Sequence, residues 1–390
     1  MDYTINKEKI EQAVTFLVNM QMDLWLIYTS EGSDPCLPLI PGVKTHGPGA
    51  FLIHKNGTKI AICSSIDAQD IEQSELFDEV LKYSTNFEEV LKDTVKRLHP
   101  KTIALNYSKN EHLADGLTTG RYFWLVEALE GTFEGEYVSS EPFLKKLRSI
   151  KTKTELEKIQ KAIDITLEIY DEVFKQLEVG MSEKEVGEIF IKEMKKRNVV
   201  SGGDKQLSMP IVLKERISHR KPGDAVIQQG DILITDFSVD YEGYVSDIAR
   251  TSYFLRDGEQ KAPANIERAF KCAYQAISKA FEAIKPGVSG YKVDEAARKF
   301  LVSEGWPEIS HATGHQMGRV PHDGGTLLGP RWERYGDSPY GLIEVGNVFT
   351  IEPTILPEEG PWMLVEENVV VTSSGAKYLS KRQESLILIG

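Results

Sequence analysis

The chain has 390 residues and a mass of 43.8 kDa, enough for two or three domains, each with its own core. Hydrophobic residues are 41% and charged residues 27%, which places it among ordinary globular proteins and outside the disordered class. Its 46 basic side chains against 59 acidic ones leave a formal charge of −13, a surface that repels phosphate backbones and argues against nucleic-acid binding. No apolar run approaches the ~20 residues that span a bilayer, so no membrane partner is expected. The N-terminus, Met1 to Asn6, lacks the basic-then-apolar order of a signal peptide. Cys36, Cys63 and Cys272 are odd in number and far apart, against both a disulfide framework and a Cys-rich zinc site. A reduced, cytoplasmic protein is the expectation.

Residues 1–148 mix strand-like and helix-like segments, the pattern of an α/β domain. Leu24–Tyr28 and Lys59–Cys63 read as buried strands, and Asn56-Gly57 reads as a hairpin signal. A helix opens at Phe87 and is ended by Pro100. No chemical constellation stands out in this half. A boundary falls near 146–154, where Thr152 with Glu155, or Thr154 with Glu157, offers a capping box ahead of a long amphipathic helix. That helix ends near Gly180, and Ser182 with Glu185 caps the next. The punctuation recurs: Gly180, Ser182 and Val186 match Gly287, Ser289 and Val293, and strand-rich, acidic sequence comes after both copies. This points to an internal duplication, whose halves would meet at a pseudo-twofold interface, a natural place for a site.

The chemistry lies in the strand-rich sequence after each copy. Ile232–Val239 and Tyr244–Thr251 read as strand, turn, strand. If the hairpin centres between Tyr241 and Glu242, Asp236 and Asp247 stand directly opposite, with Cβ atoms about 5 Å apart. Like charges so placed destabilise a sheet, so something cationic should sit between them. Asn347–Leu356 and Trp362–Val371 repeat the arrangement: a hairpin centred on Glu359 sets Glu352 opposite Glu366, and Pro353 must take an edge or bulge position. Between the hairpins, His311, His315 and His322 fall within 13 residues. One Asp pair on a hairpin is ordinarily a surface feature, and a lone histidine such as His219 is ordinarily surface or satisfied core. Two carboxylate hairpins around a histidine segment are not. Four carboxylates with imidazole suit two divalent cations about 3.5–4 Å apart, and oxygen-rich ligation favours manganese, with cobalt, iron or zinc as alternatives.

These residues resemble the creatinase, prolidase and aminopeptidase P branch of the pita-bread-fold metallopeptidases. Asp236 and Asp247, His315, Glu352 in its Ile-Glu-Pro context, and Glu366 six residues before Thr372 match the branch's five metal ligands. The triplet His311, His315, His322 is similar to that of aminopeptidase P and prolidase, and His219, three residues before Pro222, matches a substrate-side histidine. The resemblance implies an α/β (α+β) chain with an N-terminal creatinase-like α/β domain over 1–148, followed by a pseudo-twofold pita-bread catalytic domain over 149–390. It implies two divalent ions, Mn2+ first, held by Asp236, Asp247, His315, Glu352 and Glu366. The implied reaction is cleavage, by a metal-bridging hydroxide, of the bond between an N-terminal residue and proline. Glu352 would move the proton, His219 and His322 would stabilise the carbonyl oxygen, and His311 would contact substrate. The implied partners are a small peptide with proline second and, through the leading domain, a second copy in a homodimer.

The sequence departs from the branch before His219, where the glycine-rich loop is missing, and at Ser238, where Gly is usual. It also carries a long segment that begins with Asp323, precedes the Glu352 context and includes Arg331–Tyr335. These changes concern the pocket and keep two other readings open: a metal-dependent hydrolase or lyase of a small non-peptide metabolite, and a non-catalytic binding module. Trp332, Tyr335 and Trp362 are candidate walls of a proline pocket or ordinary packing.

Overall fold

Continuous apolar runs in the first part of the chain close into one six-stranded sheet. A computed structural model describes residues 2–42, 45–214 and 220–390, and the chain divides into two compact units, Met1–Arg148 and Ser149–Gly390. In the first unit the strand order is Glu79–Tyr83, Lys59–Ser64, Gly49–His54, Leu24–Thr29, Thr102–Leu105, Glu136–Ser139. Gly49–His54 is antiparallel to the strand on either side of it, and the remaining strands join in parallel. Gly57, at φ +95°, lets the Asn56-Gly57 turn close the hairpin read from the sequence. The helix Phe87–Leu98 lays Phe87, Leu91 and Val95 on the sheet, an i, i+4, i+8 stripe.

The second unit is built twice. The helices Lys153–Phe174 and Glu183–Arg197 each begin with a complete capping box, Thr152 with Glu155 and Ser182 with Glu185. The helices Ala264–Ala283 and Gly290–Ser303 form the second pair. The duplication extends through the turns. Gly180 and Gly287 both have positive φ and donate to Ile227 O and Ile343 O, and Ser182 bridges Val226 as Ser289 bridges Leu342. It then runs into the strands: Gly230 and Gly346 sit at φ +89° and +90°. Gln228 N–H donates to Asp231 Oδ2 at 2.8 Å, and Glu344 N–H to Asn347 Oδ1 at 2.8 Å. Counting on from these turns, Asp236 and Glu352 occupy equivalent positions.

Two packing devices bring the sheets and helices together. The helix Ala264–Ala283 presents Ala269, Ala273, Ala276 and Ala280, small enough for a close approach to Phe349, Ile351 and Val369. Tyr170, fully enclosed, donates its hydroxyl at 3.0 Å to Thr235 O and 2.7 Å to Ile248 O, across the two strands flanking the acidic residues. Among the described residues no helix is long and apolar enough to cross a membrane.

The paired glycines carry a consequence. Gly230→Ala and Gly346→Ala each force a side chain into the left-handed region, and each is expected to destabilise the unit by about 1–3 kcal/mol, read as an earlier midpoint in urea. A midpoint matching the parent would show that the turn relaxes to negative φ.

Candidate metal centre

The first hairpin pairs Ile232–Phe237 with Ile248–Phe254, in the register Asp236↔Ala249 and Phe237↔Ile248. Its tip pairs Tyr241 with Tyr244. The turn is therefore Glu242-Gly243, both at positive φ (50° and 84°), with Asp240 Oδ1 accepting from Gly243 N–H at 3.0 Å. This corrects the expected direct opposition of Asp236 and Asp247: the turn centres one residue later, and Asp247 stands diagonal to Asp236. The ladder also breaks beside it, because Val239 N–H donates to Ser246 Oγ at 2.9 Å. Asp247 leaves the strand and is held instead by Asn368, whose Oδ1 accepts from Asp247 N–H at 3.3 Å and whose Nδ2 donates to Asp247 O.

The second hairpin pairs Val348–Ile351 with Glu367–Thr372, and beyond the break Thr354 with Leu364. That register sets Glu352 opposite Glu366, the placement read from the sequence. The two strands expected there are interrupted at this point. Pro353 has no N–H. Glu352 N–H turns aside to Thr313 O at 2.7 Å, and Glu366 N–H reaches across to Ala249 O at 3.1 Å. The two hairpins are thus joined at their acidic residues. Behind them Arg250 donates to Ala249 O, Glu366 O and Lys381 O and pairs with buried Glu367 at 3.2 Å.

The histidine segment is laid along the second hairpin. Thr350 N–H donates to His315 O at 2.9 Å and Met317 N–H to Val348 O at 3.2 Å. Gly314 permits this approach, since a Cβ there would stand 2.1 Å from Thr350 O. His315 Nε2 then lies 3.3 Å from Glu352 Oε1 and 3.8 Å from Asp247 Oδ2. One donor atom each of Asp247, His315 and Glu366 fall within 4.8 Å of one another. The His322 ring centroid is 4.2 Å from that of His315. Both His311 ring nitrogens are engaged, Nδ1 with Ala312 O at 2.7 Å and Nε2 with Thr354 Oγ1 at 2.8 Å. His219 lies outside the described residues. Trp332 stacks on the Arg298 guanidinium at 5.1 Å, and Arg298 pairs with Asp294 and donates to His311 O at 2.8 Å, so this indole packs on the support of the histidine segment. Asn368, Arg250 and Glu367 are the supporting residues that sequence reasoning missed.

The electrostatics of the cluster call for positive charge. Burial, then the charges of Asp247 and Glu352, hold the Asp236 carboxyl well above the usual carboxylate range. Burial lifts Glu366 in the same way, with Asp247, Glu352 and Asp236 adding to it. Burial pushes Asp247 up to about 7 against the pull of His315. Burial opposes the His315 imidazolium, but Glu352 and Asp247 outweigh it and push the group up to about 9. Burial would also raise Glu352, but its hydrogen bond to His315 and the imidazole charge hold it below its ordinary value. One imidazolium does not neutralise four carboxylates, and the donor set of carboxylate oxygens and an imidazole nitrogen fits divalent cations.

Comparison with known proteins places the chain among the metallopeptidases. Residues 157–373, more than half of the chain, match Metallopeptidase family M24, and the chain belongs to that family. An uncharacterized peptidase of Staphylococcus aureus (strain MW2) is 26% identical over 340 residues, 85% of this chain and 87% of its own length. Among solved structures, an X-Pro aminopeptidase from Thermotoga maritima MSB8 is 25% identical with a TM-score of 0.74, over 97% of this chain and 99% of that one. A Xaa-Pro dipeptidase from Bacillus anthracis, 23% identical, has a TM-score of 0.77 over 98% and 99% of the two chains. The mixed α/β, two-unit fold expected from the resemblance is the fold these structures share.

Loading a cation must displace the protons held on Asp247, pushed up to about 7, and on the His315 imidazolium, pushed up to about 9. The apparent affinity for Mn2+ should therefore climb from about pH 6 to about pH 9, roughly tenfold per unit for each proton released. Calorimetric titration in buffers of different ionisation enthalpy would read it, and an affinity flat across that window would mean no proton is displaced. Asn368→Ala, which frees the backbone of Asp247, should weaken Mn2+ binding about tenfold with secondary structure intact. Unchanged affinity would show that Asp247 is held without the amide.

Proposed function

We propose that the chain is a dinuclear, divalent-metal-dependent peptidase that releases an N-terminal residue from proline. The observation that carries this reading is the convergence of Asp247, His315 and Glu366 within 4.8 Å, with Glu352 3.3 Å from His315, in a chain of family M24. Asp236, Asp247, His315, Glu352 and Glu366 would hold two ions, Mn2+ first. When bound, such ions would lower the pKa of a coordinated water and polarise the scissile carbonyl. The proline specificity rests on the family resemblance and the named activities of the two solved relatives. On this reading Ser149–Gly390 is the catalytic domain, and Met1–Arg148 serves a homodimer.

The chain's own residues then divide the work. Hydrolysis adds the oxygen of water to the carbonyl carbon, breaks the C–N bond and leaves proline as a secondary amine. The proline nitrogen must leave as an amine and not as an amide anion, so departure needs a delivered proton. Glu352 would take the proton from the attacking water and return it to that nitrogen. Glu352 is the group whose ionised form the site favours, through His315, so it begins as a base. His322, packed against His315, would donate a hydrogen bond to the oxygen that gains charge, and His219 is assigned the same task. Substrate contact by His311 would require its bond to Ala312 O or Thr354 Oγ1 to yield.

The test begins with metal content per chain, followed by cleavage of X-Pro dipeptides and tripeptides with added Mn2+. Near two ions per chain with proline-dependent release is the expected result. Metal uptake with no cleavage of any proline peptide would overturn the proposed substrate. Glu352→Gln should lower kcat by about 100-fold or more while most of the metal is retained, and near-parental turnover would remove Glu352 from the proton transfer.

A further inference from the structure

His322 stands at a weak point of the chain. It sits in the run Pro321-His322-Asp323-Gly324-Gly325, and both glycines have positive φ, 71° and 78°. Two glycines leave the backbone after it free to turn, and the proline before it has no N–H to tie it down. His322 is exposed, yet its ring centroid lies 4.2 Å from that of His315. Something must hold it there.

The early half of the loop 316–323 is fastened to the first hairpin. Val245 N–H donates to Gly318 O at 2.8 Å, Lys205 Nζ donates to Arg319 O at 2.8 Å, and the Arg319 guanidinium lies over the Tyr244 ring at 5.0 Å. A second anchor comes directly after His322. Asp323 N–H donates to Gln316 O at 2.9 Å, and Asp323 Oδ2 accepts from Lys151 Nζ at 3.1 Å. The Lys151 and Asp323 side chains are 0% and 3% exposed. The pair packs on the loop itself, because a Cβ on Gly318 would stand 2.2 Å from Asp323 Oδ2 and 2.8 Å from Lys151 Nζ. Lys151 is fixed in turn: its N–H donates to Gly346 O at 3.0 Å, and Thr152 after it caps the helix Lys153–Phe174. The Gln316 side-chain amide, equally buried, makes no hydrogen bond among the described residues, so it does not share this task. A buried ion pair adds little net stability, and its best-attested use is to fix one arrangement among several.

We propose that the Lys151–Asp323 pair positions His322 against His315 and so sets the hydrogen bond that His322 gives to the carbonyl oxygen. The inference rests on the role given to His322 above. Both residues are buried and act through the imidazole. The test is a double-mutant cycle on the full chain loaded with Mn2+, with an X-Pro tripeptide as substrate and hydrogen exchange of the same proteins read by mass spectrometry. His322→Ala should lower kcat about 100-fold. Lys151→Met should lower kcat about tenfold or more with KM within about twofold, and Asp323→Asn, which keeps the size of the side chain, should do the same. In the His322→Ala background, Lys151→Met should cost less than about twofold further. In Lys151→Met the segment 316–323 should exchange about tenfold faster, while the strands Ile232–Phe237 and Ile248–Phe254 keep the parental rate. Losses that multiply in the double variant, or exchange that rises across the strands as well, would make the pair a general support and overturn the inference. Parental kcat in His322→Ala would overturn the role of His322 and the inference together. If no proline peptide is cleaved, the X-Pro reading falls, and parental exchange over 316–323 in Lys151→Met would overturn the inference by itself.

Discussion

Four carboxylates that share one buried space repel one another and lose water, and removing even one such charge from solvent is unfavourable by several kcal/mol unless it is compensated. The second unit is arranged so that they cannot escape. Asp236 lies within a ladder, Glu352 and Glu366 oppose each other where a ladder opens, and Asp247 is clamped through its backbone by Asn368. Arg250 and Glu367 stand one residue behind the joined strands, buried and mutually satisfied, with Ser380 Oγ and Gln383 N–H also donating to Glu367. A pair so buried adds little net stability by itself, but its hydrogen bonds tie the strands of both hairpins to residues 380–383. The fold thus confines charge that a bound cation can then neutralise.

The internal duplication explains where the carboxylates come from and why they are not symmetric. Asp236 and Glu352 sit at equivalent positions after equivalent turns. Their cross-strand partners differ: Glu352 faces Glu366, whereas Asp236 faces Ala249. The small Ala249 leaves its carbonyl open to Glu366 N–H, the contact that welds the halves. The first half supplies its second carboxylate from the diagonal, through Asp247, and among the described residues the imidazole enters from the second. A symmetric backbone therefore carries an asymmetric donor set, with nitrogen on one side.

Much of this is legible in the sequence, and the rest fails for identifiable reasons. The hairpin centred on Glu359 comes out in register because Pro357, Gly360 and Pro361 bracket its turn. The first hairpin reads one residue early at its turn, although Glu242-Gly243 between two tyrosines is a two-residue loop whose positive φ values suit a tight hairpin. A shift of one residue in the turn moves each cross-strand partner by two, which keeps the face and changes the neighbour. Asn368 and Glu367 are invisible as supports, because their partners lie more than a hundred residues away in Asp247 and Arg250. The repeat is legible at Gly180 and Gly287, and its continuation to Gly230 and Gly346 emerges only with the matched φ values and side-chain bonds.

Alternation along a strand offers a way to separate chemistry from selection. On both hairpins the residues at two and four positions before the acidic side chain point to the same face, so one strand can bear an acidic side chain at its inner end and an apolar one at its outer end. Side chains at the outer end can change size or polarity without disturbing the register that holds Asp236 and Glu366, because the backbone ladder and the Arg250 network hold it. Ile232 and Trp362 occupy such positions, only partly buried, whereas Ile234 and Leu364, nearer the carboxylates, are enclosed. A fold of this kind can hold its acidic centre fixed while residues ~13 Å away along the same strands change.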